Sequence, residues 1–323
     1  MLDVFTFEEG LAMELKSNSY APVILFVYAR YDHTKKTIEA LVDNYYAVET
    51  DLVIYSDFWN HEKDKESVEK VRAYIRTISG FKSVTIIERL SNYGLAKNII
   101  EGVTEVCKKY DRVIVLEDDL ITSRYFLKYM NHALRRYELN LDVWHVSGWT
   151  YPIKLNSADN SFLWRVMNCW GWATWSNRWQ YFEKEPSLII SEWDTERIKA
   201  FNLDGYHDFF EQILMNHEGK INTWAIFWYA TIFKNHGLCL NPIKTHVKNI
   251  GHDGSGQNCG IKDIYKSQLA QSYSDSFPDI IVENEQAVEK IKFFFKKQEP
   301  SVFRLIARSV RDYLVALYHK KEL

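Results

Sequence analysis

Residues 113–122 read VIVLEDDLIT: an apolar run, three adjacent carboxylates, and a second short apolar run. The first run has the length and composition of a buried strand, and it ends on Glu117, Asp118 and Asp119, whose mutual repulsion has to be offset by something. Working back from it, RVIVLEDD (112–119) is the fourth segment of its kind, after APVILFVYA (21–29), DLVIYSD (51–57) and SVTIIER (83–89). Amphipathic stretches lie between them: a helix over about Thr34 to Asn44, another over Glu66 to Ser79, and LAKNIIEGVTEVCKKY (95–110). Apolar strands alternating with helices at this spacing predict an α/β fold, a mostly parallel sheet flanked by helices. Ligands of such sheets bind at the carboxyl ends of the strands, which sets Arg30, Asp57 and the 117–119 cluster along one rim.

The composition is that of a globular protein of 323 residues with a formal charge of -3 spread along the chain, so no basic field marks a nucleic-acid partner. The outlier is aromatic content, 11 Trp and 20 Tyr, which favours a ligand with sugar rings or bases to stack on. The first twenty residues lack the basic start and compact apolar core of a signal peptide, and no segment has the roughly 18 apolar residues of a membrane span. Cys107, Cys169, Cys239 and Cys259 have no zinc-like spacing, which fits a cytoplasmic location; a Cys239–Cys259 pair stays open. The second half is rich in tryptophan (WRVMNCWGWATWSNRW, 164–179) and has no clear period, which points to an acceptor cleft or an added subdomain rather than to more regular sheet. The expected organisation is one domain over 1–280. A helical, basic extension follows over 281–323.

One carboxylate suffices to cap a helix. Three at a strand end are better explained by a bound hard cation, Mg²⁺ or Mn²⁺, of the kind that also holds a diphosphate. With this motif, the fragments YGLAKNIIEG, LEDDLITSRYFLKYM, VSGW, CWGWATW and GLCLNPIKTHVKNIGHDGSG occur in an order that resembles glycosyltransferases of the GT-A fold. More narrowly it is similar to the N-acetylglucosaminyltransferase I type, over about residues 20–260, which implies a GT-A catalytic domain over 1–280 with a nucleotide-sugar half at about 20–125 and an acceptor half at about 126–280. The resemblance implies a nucleotide-sugar donor, UDP-linked by preference, with Asp119 as direct metal ligand, Asp118 approaching the ribose and Glu117 the donor sugar. It implies that Asp57 accepts from a uracil N3–H and that Arg30 lies by the phosphates. Lys97 is a further phosphate candidate, against a plain solvated lysine.

The same resemblance leaves a gap. The family's general base is an aspartate, and counting back from CLNP its position falls on Ala225 or Ile226. Candidate replacements are Asp208 and Glu211 in DGYHDFFEQI, or His252 and Asp253 in NIGHDGSGQNCG; a retaining transfer would need none. The glycine-rich 251–260 segment reads as a donor-site lid carrying His252, against an ordinary surface loop. Trp170 or Trp172 is expected to floor the sugar site. From Phe303, apolar residues at helical spacing with arginines on another face suggest either an interfacial helix, peripheral to a membrane carrying a polyprenyl-linked acceptor, or a helix packed on the catalytic domain. The expected activity is glycosyl transfer to a glycan or lipid-linked acceptor in surface-polysaccharide synthesis. The rivals are a sugar-phosphate nucleotidyltransferase, disfavoured by the lack of glycine in ARYDHTKKT, and a non-catalytic glycan-binding scaffold.

Overall fold

The computed structural model describes residues 19–256 and 263–298. Four parallel strands form its first half: β1 (Val23–Val27), β2 (Asp51–Ser56), β3 (Ser83–Glu88) and β4 (Arg112–Glu117). Strands β1 and β4 are almost wholly buried, as expected of runs with no polar alternation that are covered on both faces. The connecting helices are α1 (Tyr31–Val42), α2 (Lys65–Ile75) and α3 (Gly94–Tyr110). Helix α1 starts three residues before the predicted Thr34 because the Arg30 carbonyl accepts both the amide and the hydroxyl of Thr34, each at 2.9 Å. Helix α2 stops short of Ser79, before Gly80 takes a positive φ of 95°. Helix α3 ends on Asp111, itself left-handed at φ 64°, which turns the chain into β4.

The sheet continues through the tryptophan-rich half, where the sequence had pointed away from regular strands. Its order is β3-β2-β1-β4-β8-β6-β9-β7, with β6 (Val143–Ser147), β7 (Ser161–Trp164), β8 (Trp172–Trp175) and β9 (Leu238–Pro242). Strand β8 runs antiparallel to both β4 and β6, β9 runs parallel to β6, and β7 closes the edge antiparallel to β9. WATW is buried at all four positions, so the alternation that betrays a half-exposed strand is missing. Its indoles pack on both faces: Trp172 lies 5.0 Å from Trp224 and 5.4 Å from His145, and Trp175 Nε1 donates to the Leu134 carbonyl at 3.1 Å. The expected α/β fold, a mostly parallel sheet flanked by helices, is the one found.

A second ribbon pairs β5 (Leu120–Thr122) with β10 (Val247–Asn249) antiparallel, and this joins the residues after β4 to a segment more than a hundred positions later. Helices α4 (Phe126–Arg136), α5 (Ser176–Trp179), α6 (Pro186–Glu192), α7 (Thr195–Phe201), α8 (Phe210–His217) and α9 (Ala225–Lys234) complete the second half. The last described helix, α10 (Glu285–Gln298), sets Ala287, Val288, Ile291 and Phe295 into the same core. It is also tied by Lys292, which pairs with Asp204 at 3.0 Å, and Glu283, just before the helix, pairs with Arg165 at 2.8 Å. The proposed interfacial helix from Phe303 and any pairing of Cys259 lie outside the described residues. No helix among the described residues is long and apolar enough to cross a membrane.

Candidate active site

Strand β1 pairs with β2 on one side and β4 on the other, so the chain leaves β1 and β4 toward opposite parts of the sheet and a crevice opens at their carboxyl ends. Arg30, just after β1, and Glu117–Asp119, at the end of β4, meet in that crevice. Arg30 Nη2 pairs with Asp118 and, at 2.9 Å, with Asp119 Oδ2. One guanidinium thus faces three carboxylates, and the charges do not balance. Burial, then Asp119 and Asp118, push the Glu117 carboxyl up to about 8. Asp118 is also raised, because burial outweighs its pairing with Arg30. Burial opposes the charge of Arg30 in turn, but Asp118 and Asp119 together outweigh it and hold the guanidinium firmly protonated. Arg30 Nη1 is buried and makes no hydrogen bond.

The β5–β10 ribbon closes the crevice from the other side. Ile250 donates its amide to the Asp119 carbonyl at 2.9 Å, and Gly251 lies against the Asp119 side chain so closely that a Cβ there would stand 2.3 Å from Oδ2. Beyond Gly251 the His252 ring sits edge-on to Trp170, 5.7 Å between centroids. Asp253 turns the other way, pairing with His33 at 3.0 Å and accepting from the Ser255 hydroxyl and amide. Those Ser255 bonds hold its carboxyl down at about 2.

Glu117 and Asp119 open into a cleft of about 740 Å³ whose lining includes His252, Trp170, Tyr265, His207 and Phe209. Of the residues expected at the site, then, Glu117, Asp119 and His252 face the cleft, while Arg30 and Asp118 sit against Asp119. The remaining charged candidates are not among the lining residues. Asp57, 6% exposed, receives the amides of Phe58, Tyr93 and Gly94, each at 2.9 Å, and the Asn92 side chain at 3.3 Å. That is how a carboxylate anchors a helix start, here that of α3. Lys97 lies on the exposed face of α3, 3.7 Å from Glu101 and over the Tyr93 ring. Asp208 accepts from the Asn202 side chain and the Glu211 amide at the start of α8, and Glu211 points outward. Of the two tryptophans, Trp170 borders the cleft and Trp172 belongs to the core.

Ala225 and Ile226, where the family resemblance had put a base, do line the cleft. The geometry also brings in residues that sequence reasoning missed: Gly251 as the wall behind Asp119, and Tyr265, His207 and Phe209 as cleft faces. Gly251 carried one signal, its place in the NIGHDG run; the aromatic faces carried none. Among the described residues no group of three or more His, Cys, Asp and Glu side chains is placed to hold a metal ion. The groups present are hard carboxylate oxygens in excess over their one cation, which suits Mg²⁺ or Mn²⁺ completed by ligand oxygens.

No protein-family model matches the chain. No curated protein sequence matches it either. Among solved structures, it is similar to S. aureus TarS 1-349 in complex with UDP-GlcNAc at 12% identity and a TM-score of 0.30, covering 39% of this chain and 33% of that one. The mannosyltransferase PcManGT from Pyrobaculum calidifontis, in complex with GDP-Man and Mn²⁺, is 10% identical with a TM-score of 0.37, covering 68% of this chain and 70% of that one. Glucosyl-3-phosphoglycerate synthase from Mycobacterium tuberculosis, with Mn²⁺, UDP and glucosyl-3-phosphoglycerate, is 12% identical with a TM-score of 0.29, covering 46% and 49%. The chain spans only 20% to 34% of the TarS chains that it matches. At this level of likeness the fold is defined by its own strand order.

Proposed function

We propose that the protein is a divalent-metal-dependent glycosyltransferase that takes a nucleotide-sugar donor, UDP-linked by preference, and acts on a glycan acceptor. The observation that carries this reading is the buried crevice between β1 and β4, where three carboxylates face one arginine and that arginine keeps a buried, unpaired N–H. Excess negative charge calls for a cation, and the orphaned guanidinium N–H calls for an anion. A metal-bound diphosphate satisfies both at once. In this reading Asp119 ligates the cation, Arg30 donates Nη1 to a phosphate oxygen, and Asp118 holds Arg30 in place. Glu117 accepts from a donor hydroxyl, or donates to one when protonated. When bound, the cation neutralises the departing diphosphate.

The test is calorimetry with UDP in the presence and absence of Mn²⁺, followed by a panel of nucleotide sugars assayed for metal-dependent hydrolysis or transfer. Metal-dependent UDP binding that weakens at least about tenfold in Asp119→Ala supports the reading. Binding that ignores both the metal and the substitution overturns it. One observation favours a second reading: the cleft wall carries the apolar Ala225 and Ile226 where the resemblance had put a base. This fits a glycan-binding scaffold without transfer, for which glycan would bind while UDP with Mn²⁺ would not.

A further inference from the structure

The cleft is chemically lopsided. At one end stand Glu117 and Asp119; along the rest, among the described lining residues, there is no lysine and no arginine. That remainder is aromatic and continuous. Trp170 packs edge-on to Trp149 at 4.8 Å and to Tyr265 at 5.2 Å, Trp149 packs on Tyr151 at 4.8 Å, and Tyr151 packs on Phe295 of α10 at 5.3 Å. From Phe295 the series reaches His207 at 4.2 Å and Phe209 at 6.2 Å. These rings divide by exposure. Trp149, Tyr151 and Phe295 are 3%, 5% and 8% exposed and act as backing, whereas Trp170, Tyr265, His207 and Phe209 keep open surface.

Partly open rings over a buried aromatic base, with the polar side chains of Gln212, Asn222 and Thr223 on the same lining, suit a sugar ring, which has an apolar face to stack and hydroxyls to satisfy at its edge. A phosphate or carboxylate in the same place would lose water and meet no lysine or arginine of the described lining. Resting on the transferase reading above, we propose that this aromatic end is an acceptor subsite selecting an uncharged sugar ring, with Tyr265 and Phe209 as its specificity-determining faces, Tyr265 supported by Trp149 and Phe209 by Phe295.

Saturation-transfer NMR on the full chain tests this with methyl glycosides of glucose, galactose, mannose and N-acetylglucosamine. The acidic counterparts are glucuronic acid and glucose 6-phosphate, and Tyr265→Leu and Phe209→Leu are the variants. Both replacements keep apolar bulk at partly exposed positions and remove only the ring, and thermal melting confirms that they fold. Expected is transfer from at least one neutral glycoside, about tenfold weaker binding of its acidic counterparts, and a comparable loss in each variant. Acidic sugars that bind as well as neutral ones, variants that bind like the parent, or no transfer from any glycoside would overturn the proposal. UDP calorimetry separates this from the transferase reading: UDP binding without sugar selectivity sinks the subsite alone. Selective sugar binding without UDP binding sinks the transferase alone.

Discussion

Gly251 has no room for a side chain, because the Asp119 carboxylate fills the space where its Cβ would be. Its φ is not positive, so alanine suits the backbone and the conflict is purely steric, 2.3 Å to Oδ2. The side chain that must yield is the one assigned to the metal. Gly251→Ala is therefore expected to weaken metal-dependent UDP binding at least about tenfold while the melting temperature moves by only a few degrees, read by calorimetry beside a thermal melt. A variant that binds like the parent would mean that Asp119 relaxes freely and that its position is not critical. Sequence could flag the three carboxylates at this scale, since their adjacency is visible, but not the glycine that pins one of them from 132 positions away.

At the scale of the element, the start of α3 decides what Asp57 does. Both of its oxygens are filled by the chain itself, three backbone amides and one side-chain amide, leaving no lone pair for a base. Asp57→Ala is expected to cost about 1–3 kcal/mol of stability, because it strands buried donors at the helix start. Urea denaturation would show it, with UDP affinity changed less than about threefold. A loss of UDP affinity at unchanged stability would return Asp57 to the base-binding role that the resemblance implies. The same scale explains why the second half of the sheet was illegible. Strand β8 is four residues long and buried throughout, so neither length nor alternation distinguished WATW from a core helix or loop.

For the whole molecule, acid sensitivity follows from two buried histidines. His145 accepts from the Trp228 indole at 3.2 Å on Nδ1 and so donates Nε2–H to the Asn168 carbonyl at 3.0 Å; burial lowers its pKa from 6.5 to about 3. Burial takes His246 from 6.5 to about 4, with its Nδ1 2.9 Å from the Ser123 hydroxyl. Between those folded values and 6.5 the unfolded chain binds more protons than the folded one. Stability from these groups is therefore full above pH 6.5 and falls as pH drops toward 4 and 3. Glu117, raised from 4.5 to about 8, has the opposite sign: the folded state holds the extra proton, so stability falls as pH rises through that window. Urea midpoints measured from pH 4 to 9 should thus fall at both ends. Glu117→Gln is expected to lift the alkaline side alone, and an unchanged alkaline limb in that variant would contradict the charge imbalance described at the crevice.

The sequence by itself determined the parallel half: long apolar strands, helices between them and the acidic strand end are local patterns, set by period and composition over a few residues. It also determined that Arg30 and the 117–119 carboxylates share a rim, since parallel strands present their carboxyl ends together. Which of the candidate carboxylates face the cleft is visible in the tertiary structure alone. Asp57 is bonded at a helix start 36 positions away and Asp208 at the start of α8, whereas Glu117 and Asp119 open into the cleft that residues from distant segments wall. The aromatic wall is likewise a tertiary product, assembled from segments near 149, 170, 207, 265 and 295 that have no common spacing to read.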